Sequence, residues 1–360
     1  MTRLTHLCRV THRACNALSP MVSAFYQTIN SETSKHKADA SFFTIADGIV
    51  QYLLVNHLFS NGRFLNIVGE EDDNNVQIDN APYTVDDLTV PAEYNTLIDQ
   101  AKNSLNDLST EFDSFNYKDL TVFIDPIDGT REFSTGLGEQ CSICIGFASD
   151  AGKPVAGIVY RPITKPETFA MGAASEGFTE SHLDIPAVPN HTGFLTSNGG
   201  VSPFLVQLMS KLGYQRVPSG GAGNKMLMLL EGKGGAYIQD RGVSRWDTCA
   251  AQAVIEANGG VLAKLTSFVN GDRDWKHYTY LKSNSNLDFE ANTSNLTPFN
   301  SKDKKAIKKG DPPRIGTLEE FQAYSNICGL IALSREGLTS AENIFNAVQE
   351  VKVTHPPSYD

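Results

Sequence analysis

Two aspartates three residues apart, Asp125 and Asp128, are the most chemically informative feature of this sequence. They follow the apolar run Leu120–Ile124, which has the composition of a buried strand. Carboxylate oxygens held on a turn after a strand are ligands that Mg²⁺ prefers. Gly129 and Thr130 come next, where a helix is able to begin, and the free N–H groups of a helix start bind phosphate. The stretch therefore predicts a joint site for a divalent cation and a phosphate group.

Three further carboxylates lie within or next to predicted elements. Asp47 lies in a helical segment, Glu70 follows a short apolar strand, and Asp247 opens a helix. Each has a structural alternative, because a carboxylate after a strand is usually solvated and an Asp at a helix start is usually a cap worth about 1 kcal/mol. A shared site is favoured because layered α/β folds gather functional groups where their regular elements end.

The elements that must position these residues follow from the spacing of apolar side chains. Helices are predicted at 4–22, 41–59, 92–108, 201–212, 221–231 and 247–257. Strands are predicted at 64–68, 120–124, 141–148, 155–160 and 235–239. Breakers between 181 and 195 predict a boundary between an N-terminal α+β domain, 1–185, and a C-terminal α/β domain, 186–360. Within the second domain, the polar segment 282–314 is predicted to be an exposed insertion.

Composition narrows the class of partner. Of 360 residues 41% are hydrophobic, and the net charge is −11, which argues against nucleic-acid polymers and anionic membranes. No apolar run approaches the ~20 residues that span a bilayer. An acidic protein that acts on phosphate needs cations to neutralise its own negative charge and that of the phosphate. The sequence does not indicate an oligomeric state.

The sequence gives conflicting signals about the cellular compartment of the protein. The first 31 residues lack Asp and Glu but contain three Arg, which resembles a mitochondrial targeting segment. Helical spacing of their apolar residues favours the first helix of the fold instead. The six Cys are scattered, which favours a reducing compartment, and Cys141 and Cys144 have redox-motif spacing inside a predicted strand, where packing is the favoured role. A cytoplasmic location is expected, with a mitochondrion or another organelle as the alternative.

Three motifs together carry a family resemblance: Gly69–Asp72, Asp125–Thr130 and Trp246–Ala250. They resemble, in order and spacing, the signatures of the lithium-sensitive, Mg²⁺-dependent phosphomonoesterase superfamily. The resemblance implies a layered α/β fold, the αβαβα sandwich of the inositol monophosphatase and fructose-1,6-bisphosphatase type. It also implies inhibition by Li⁺.

A glycine-rich stretch, Ser219–Lys225, is most similar to the 3'(2'),5'-bisphosphate nucleotidases of that superfamily. It is not a nucleotide P-loop, because Asn224 and Met226 occupy the places that a P-loop fills with Gly and Ser or Thr. The similarity implies a role in sulfur assimilation.

The resemblance also implies metal ligands. Asp125 would bridge two Mg²⁺ ions. Glu70 and the backbone carbonyl of Ile127 would complete the first site, and Asp128 and Asp247 the second. A third ion would share Glu70.

Catalytic roles follow from the same resemblance. Thr130 would orient the attacking water, with Asp47 behind it as the proton acceptor. The N–H groups of Gly129 and Thr130 would hold the phosphate. Transfer would go directly to water, without a phosphoenzyme.

The implied substrate is a small phosphorylated molecule. The first expectation is 3'-phosphoadenosine 5'-phosphate, hydrolysed to AMP, with the corresponding 5'-phosphosulfate as a further substrate. Gly221 and Lys225 match positions that hold the remaining phosphate and ribose. The nucleotidases usually carry a His near Leu195–Gly200 that this chain lacks, and the sequence does not choose between Ser197 and Ser202 as its replacement. An inositol polyphosphate 1-phosphatase, dual activity and a non-catalytic nucleotide sensor are the alternatives.

Overall fold

A computed structural model describes residues 1–29, 33–36, 42–60, 62–71, 75–240, 243–281, 325–326 and 329–357. The predicted insertion 282–314 and Asp72 lie outside these residues. The helices are α1 Arg3–Gln27, α2 Ile45–Leu53, α3 Asn95–Ser109, α4 Thr130–Ser134, α5 Pro203–Leu212, α6 Ala222–Leu230, α7 Arg245–Ala257, α8 Leu265–Asn270 and α9 Ala341–Thr354. No described helix is long and apolar enough to span a membrane.

The strands begin with β1 Ser34–His36, β2 Phe42–Thr44, β3 Phe64–Gly69, β4 Val76–Gln77, β5 Thr84–Val85, β6 Leu88–Thr89, β7 Tyr117–Asp128, β8 Ser142–Ser149 and β9 Pro154–Arg161. They continue with β10 Thr168–Ala173, β11 Phe178–His182, β12 Gly193–Thr196, β13 Gln215–Pro218, β14 Ala236–Gln239, β15 Val243–Ser244, β16 Val261–Lys264, β17 Ser325–Asn326 and β18 Leu330–Leu333.

The chain divides into two compact units. The first contains residues 1–183 together with two later segments, 220–224 and 246–257, and the second contains 184–219, 225–245 and 258–360. Asp247 therefore lies in the first unit, although the sequence analysis assigned it to the second domain.

The first unit is built on a six-stranded sheet of order β11-β10-β9-β8-β7-β3. β3 and β7 run parallel, and the other neighbours are antiparallel. One face packs against α1 and α2, α3 packs against α1, and the apolar residues that predicted α1 are all buried. Since α1 spans Arg3–Gln27, the prediction of a first amphipathic helix is confirmed. Glu176 accepts the N–H groups of Leu4 and Thr5 and so satisfies donors at its first turn.

Glycines on the sheet's other face explain why α7 belongs to this unit. Side chains alternate between the faces of a strand, so Ile145 and Ile158 join the core with α1 while Gly146 and Gly157 face the other way. A Cβ added at Gly157 would lie 2.8 Å from Ala250 Cα. Only glycine lets the backbone of α7 approach the sheet this closely, and the approach brings the helix start to the sheet.

Gly157→Ala is expected to lower the free energy of unfolding by about 1–3 kcal/mol, since the added methyl group meets backbone atoms that cannot rotate away. Urea denaturation measures the change. The matched control is Gly200→Ala, whose added Cβ meets nothing within 4 Å, and we expect it to change stability by less than about 0.5 kcal/mol. Equal stability of both variants would contradict this account of helix–sheet packing.

The second unit has a five-stranded sheet of order β13-β12-β14-β18-β16. β12 is parallel to β13 and β14, and β18 is antiparallel to β14 and β16. Residues of α5, α8 and α9 form one apolar core with this sheet. The short strands form three small sheets, β1-β2, β4-β5-β6 and β15-β17.

Candidate active site

Two parallel strands place the first carboxylates side by side. β3 pairs with β7 so that Gly69 lies opposite Ile124, and the N–H of Glu70 donates to the Ile124 carbonyl at 3.1 Å. β7 runs to Asp128, four residues beyond the predicted strand, with an irregular register between Asp125 and Asp128. Such irregularities re-aim side chains near functional sites.

Asp125, Asp128 and Asp247 form a carboxylate cluster in which one oxygen from each lies within 4.8 Å of the others. Asp125 is 1% exposed. Its Oδ1 is buried and has no hydrogen-bond partner among the described residues. Burial raises the pKa of Asp125 well above its usual value, and the charges of Glu70, Asp128 and Asp247 raise it further.

A hard divalent cation fits this cluster. Carboxylates that lie close together repel one another, and a buried oxygen without a hydrogen-bond donor costs free energy. Both costs are offset if a cation binds at the site. All the ligand atoms are oxygens, which suits Mg²⁺. The observation that decides the fit is the unpartnered oxygen of Asp125.

Asp128 has a second set of partners that the sequence analysis missed. Its Oδ1 accepts the N–H of Ala222 at 2.7 Å, and its Oδ2 accepts the N–H of Gly223 and the hydroxyl of Ser142, both at 2.8 Å. The carboxylate therefore caps the start of α6. A signal was present, because Gly-Gly before this helix provides no side chain that can cap it, so the free N–H groups need a partner from elsewhere in the fold.

Asp47 and Thr130 are joined as the sequence analysis expected. The hydroxyl Oγ1 of Thr130 lies 3.0 Å from Asp47 Oδ1 and 3.0 Å from the carbonyl oxygen of Ile127. Asp47 Oδ2 accepts from Thr44 twice, from its N–H at 2.8 Å and its hydroxyl at 2.5 Å. Thr44 and Asp47 form a capping box at the start of α2. The spacing Thr-x-x-Asp is the signal that identifies Thr44, and it explains why α2 begins at Ile45 rather than at 41.

Gly129 connects the carboxylate turn to the glycine-rich segment. It has φ +92° and precedes α4, which has five residues. A Cβ at Gly129 would lie 3.3 Å from the nitrogen of Gly221. The thiol of Cys141 donates to the Gly129 carbonyl at 3.1 Å, and burial raises the pKa of that thiol. This thiol therefore supports the turn and remains protonated.

Gly221 lies directly against the carboxylate of Asp128. It has φ +61°, and a Cβ there would be 2.7 Å from Asp128 Oδ2 and 2.8 Å from the carbonyl oxygen of Gln140. Positive φ is strained for any residue with a side chain. The position therefore requires glycine for two reasons, backbone conformation and close approach.

Gly221→Ala is expected to lower the apparent affinity for Mg²⁺ by about 10-fold or more, because the methyl group displaces the Asp128 carboxylate. Gly213→Ala is the matched control, since Gly213 has φ +68° but open space around its Cβ. It carries the same backbone strain without the collision. Mg²⁺ titration of phosphate release by both variants measures the difference, and equal Mg²⁺ affinities would contradict the collision.

Three predicted substrate contacts lie in the second unit. The buried ammonium group of Lys225 donates to the Ser219 carbonyl at 3.3 Å and lies 5.1 Å from the centre of the Tyr237 ring. Ser197 is exposed. Ser202 is the N-cap of α5, so its hydroxyl already has a structural role. Substrate binding by these residues remains a prediction.

Comparison with known proteins adds independent information. A family model described as the inositol monophosphatase family matches residues 4–296. Human 3'(2'),5'-bisphosphate nucleotidase 1 is 29% identical over 251 residues, which are 65% of this chain and 75% of that protein. The Golgi-resident adenosine 3',5'-bisphosphate 3'-phosphatase of Rattus norvegicus is 30% identical over 159 residues, 41% of this chain and 42% of that protein.

A solved structure extends the comparison. An IMPase/NADP phosphatase complexed with Mg²⁺ and phosphate matches with a TM-score of 0.55 at 12% identity, over 96% of each chain. At that identity the likeness concerns the fold alone, and it confirms the predicted layered α/β fold.

Proposed function

The chain belongs to the inositol monophosphatase family and hydrolyses phosphoric monoesters, and we propose that its substrate is adenosine 3',5'-bisphosphate, from which it removes the 3'-phosphate. The family membership confirms the resemblance seen in three motifs. The choice of this substrate is supported by the activities for which the nucleotidase relatives are named and by the segment Ser219–Lys225. The 5'-phosphosulfate analogue is proposed as a further substrate.

The observation that carries the catalytic proposal is the carboxylate cluster with its unpartnered buried oxygen. Glu70, Asp125 and the Ile127 carbonyl would hold one Mg²⁺ ion, and Asp125, Asp128 and Asp247 a second. A third ion would share Glu70. Asp128 would still be able to act as a ligand while Oδ1 accepts the N–H of Ala222, because each carboxylate oxygen has two lone pairs. Bound Mg²⁺ lowers the pKa of water and offsets the negative charge of the phosphate.

Thr130 and Asp47 provide the proton path. A charged carboxylate is a stronger acceptor than a carbonyl, so the Thr130 hydroxyl donates to Asp47 Oδ1 rather than to Ile127. The Thr130 oxygen keeps lone pairs that accept a hydrogen bond from the attacking water. As the water oxygen bonds to phosphorus, the bond between phosphorus and the 3'-oxygen breaks, the water proton passes to Thr130 and the Thr130 proton passes to Asp47. The departing 3'-oxygen takes up a proton from solvent and becomes the 3'-hydroxyl of AMP. The N–H groups of Gly129 and Thr130 are proposed to hold the phosphate oxygens.

Phosphate release from a set of substrates tests the proposal. We expect adenosine 3',5'-bisphosphate to be hydrolysed with a higher kcat/KM than inositol 1,4-bisphosphate, and AMP to accumulate without further hydrolysis. Adenosine 3'-phosphate is the matched control, because it keeps the scissile bond and lacks the 5'-phosphate. Added Li⁺ is expected to inhibit turnover. Faster hydrolysis of the inositol bisphosphate would overturn the nucleotide assignment while leaving the metal site intact.

A further inference from the structure

Asn224 connects the first turn of α6 to the large sheet of the first unit. It is buried, and its side-chain oxygen accepts from Nε of Arg161 at 2.7 Å. Its main-chain oxygen accepts from Nη2 of the same guanidinium at 3.2 Å. Its side-chain nitrogen donates to the carbonyl of Gly220 at 3.0 Å. One side chain thus joins the glycine-rich segment to a strand.

Arg161 is itself held firmly. It ends β9, is 4% exposed, and donates from Nη1 to the hydroxyl of Thr168 at 3.2 Å. Thr168 is its register partner on β10. The guanidinium presents donors in a rigid, planar fork, so its hydrogen bonds with Asn224 fix direction as well as distance. A lysine would keep the charge and lose the fork.

The segment that Arg161 and Asn224 hold, residues 220–224, also forms hydrogen bonds with Asp128. Gly220 donates its N–H to Oε1 of Gln140 at 2.7 Å, which fixes the segment before α6 begins. Asn224 follows Ala222 and Gly223, whose N–H groups bond the Asp128 carboxylate. Hydrogen bonds at both ends therefore set where these donors lie, and the donors set the orientation of the carboxylate.

We propose that Arg161 and Asn224 are positioning residues that hold the start of α6 against Asp128 and thereby set that carboxylate for metal binding. The inference rests on the proposed function and names residues that none of the three motifs includes. Partners that orient a metal ligand typically contribute about 10–100-fold to metal affinity.

The test is Mg²⁺ binding by Arg161→Lys and Asn224→Ala, measured by calorimetry on the full chain without substrate. We expect about 10-fold or greater loss of affinity in each. The Mg²⁺ concentration for half-maximal phosphate release should rise in parallel. Hydrogen exchange at residues 222–224 should quicken in both variants, which reports loosening of the helix start.

Arg63→Lys is the matched control, because Arg63 also donates through its fork, to Asp113, and lies outside the site. It should bind Mg²⁺ as the wild type does. Faster exchange at 222–224 with unchanged Mg²⁺ affinity would show a purely structural role and overturn the inference. A wild-type chain that binds no Mg²⁺ would instead reject the metal-dependent function itself. If Asn224→Ala does not fold, the more conservative Arg161→Lys still decides the matter.

Discussion

Asp125→Asn is expected to reduce Mg²⁺-dependent phosphate release by about 10³-fold or more, since metal ions stabilise transition-state charge by several kcal/mol. Asp125 is the carboxylate that we propose both ions would share. Its buried Oδ1 also lacks a hydrogen-bond donor among the described residues. The asparagine keeps the shape of the side chain and removes the charge that would hold the cations. Phosphate release at saturating Mg²⁺ measures the loss.

The same substitution should make the metal-free protein more stable. Asp125 is buried beside Glu70, Asp128 and Asp247, and burial together with these charges disfavours its ionised form. Removing the charge relieves this repulsion, so the melting temperature without metal should rise, by about 2 °C for each 1 kcal/mol gained. Mg²⁺ should then stabilise the variant far less than the wild type, because ligand stabilisation depends on affinity.

Asp119→Asn is the control for this pair of effects, since Asp119 is a partly exposed carboxylate paired with Arg3. It should keep activity and the normal stabilisation by Mg²⁺. Opposite changes in activity and metal-free stability are the signature of a charged metal site. An Asp125→Asn protein that is less stable without metal, or fully active with it, would contradict the assignment of the cluster.

Local sequence patterns predicted the parts of the site that depend on neighbouring residues. Glu70 and Asp125 follow apolar strands, and parallel pairing of β3 and β7 brings them together. The three motifs gave the family correctly because their order along the chain is itself informative. The helix and strand centres were also predicted well, since apolar periodicity determines them.

The remaining parts depend on tertiary contacts that no local pattern contains. Asp128 caps α6 across 94 positions of sequence, and Arg161 reaches Asn224 across 63. The placement of Asp247 in the first unit depends on Gly146 and Gly157, which look like ordinary strand glycines until α7 is packed against them. In the sequence, Asn224 served only to exclude a P-loop. Its hydrogen bonds with Arg161 become visible only in the folded structure.

Asp47→Asn is expected to lower kcat by about 10²–10⁴-fold, the usual contribution of general base catalysis, with little change in Mg²⁺ affinity. Thr44 donates two hydrogen bonds to Asp47 Oδ2, and the Thr130 hydroxyl donates one to Oδ1. An asparagine satisfies Thr44 only by turning its carbonyl oxygen toward it. Its NH₂ group then faces Thr130 and forces that hydroxyl to accept a hydrogen bond. The substitution therefore reverses the hydrogen bond between residues 47 and 130 and also removes the carboxylate that would accept the proton.

Variants of Thr44 separate orientation of the base from its chemistry. Thr44→Ser keeps both donors to Asp47 and should retain wild-type kcat. Thr44→Val keeps the backbone donor alone and should lower kcat less than Asp47→Asn does, while losing about 1 kcal/mol of stability with the helix cap. Rates of phosphate release at saturating Mg²⁺ and substrate measure the kcat of each variant and so rank the variants. Because Asp47 is not a proposed metal ligand, a loss of Mg²⁺ affinity in Asp47→Asn as large as the loss in Asp125→Asn would contradict its role as a base.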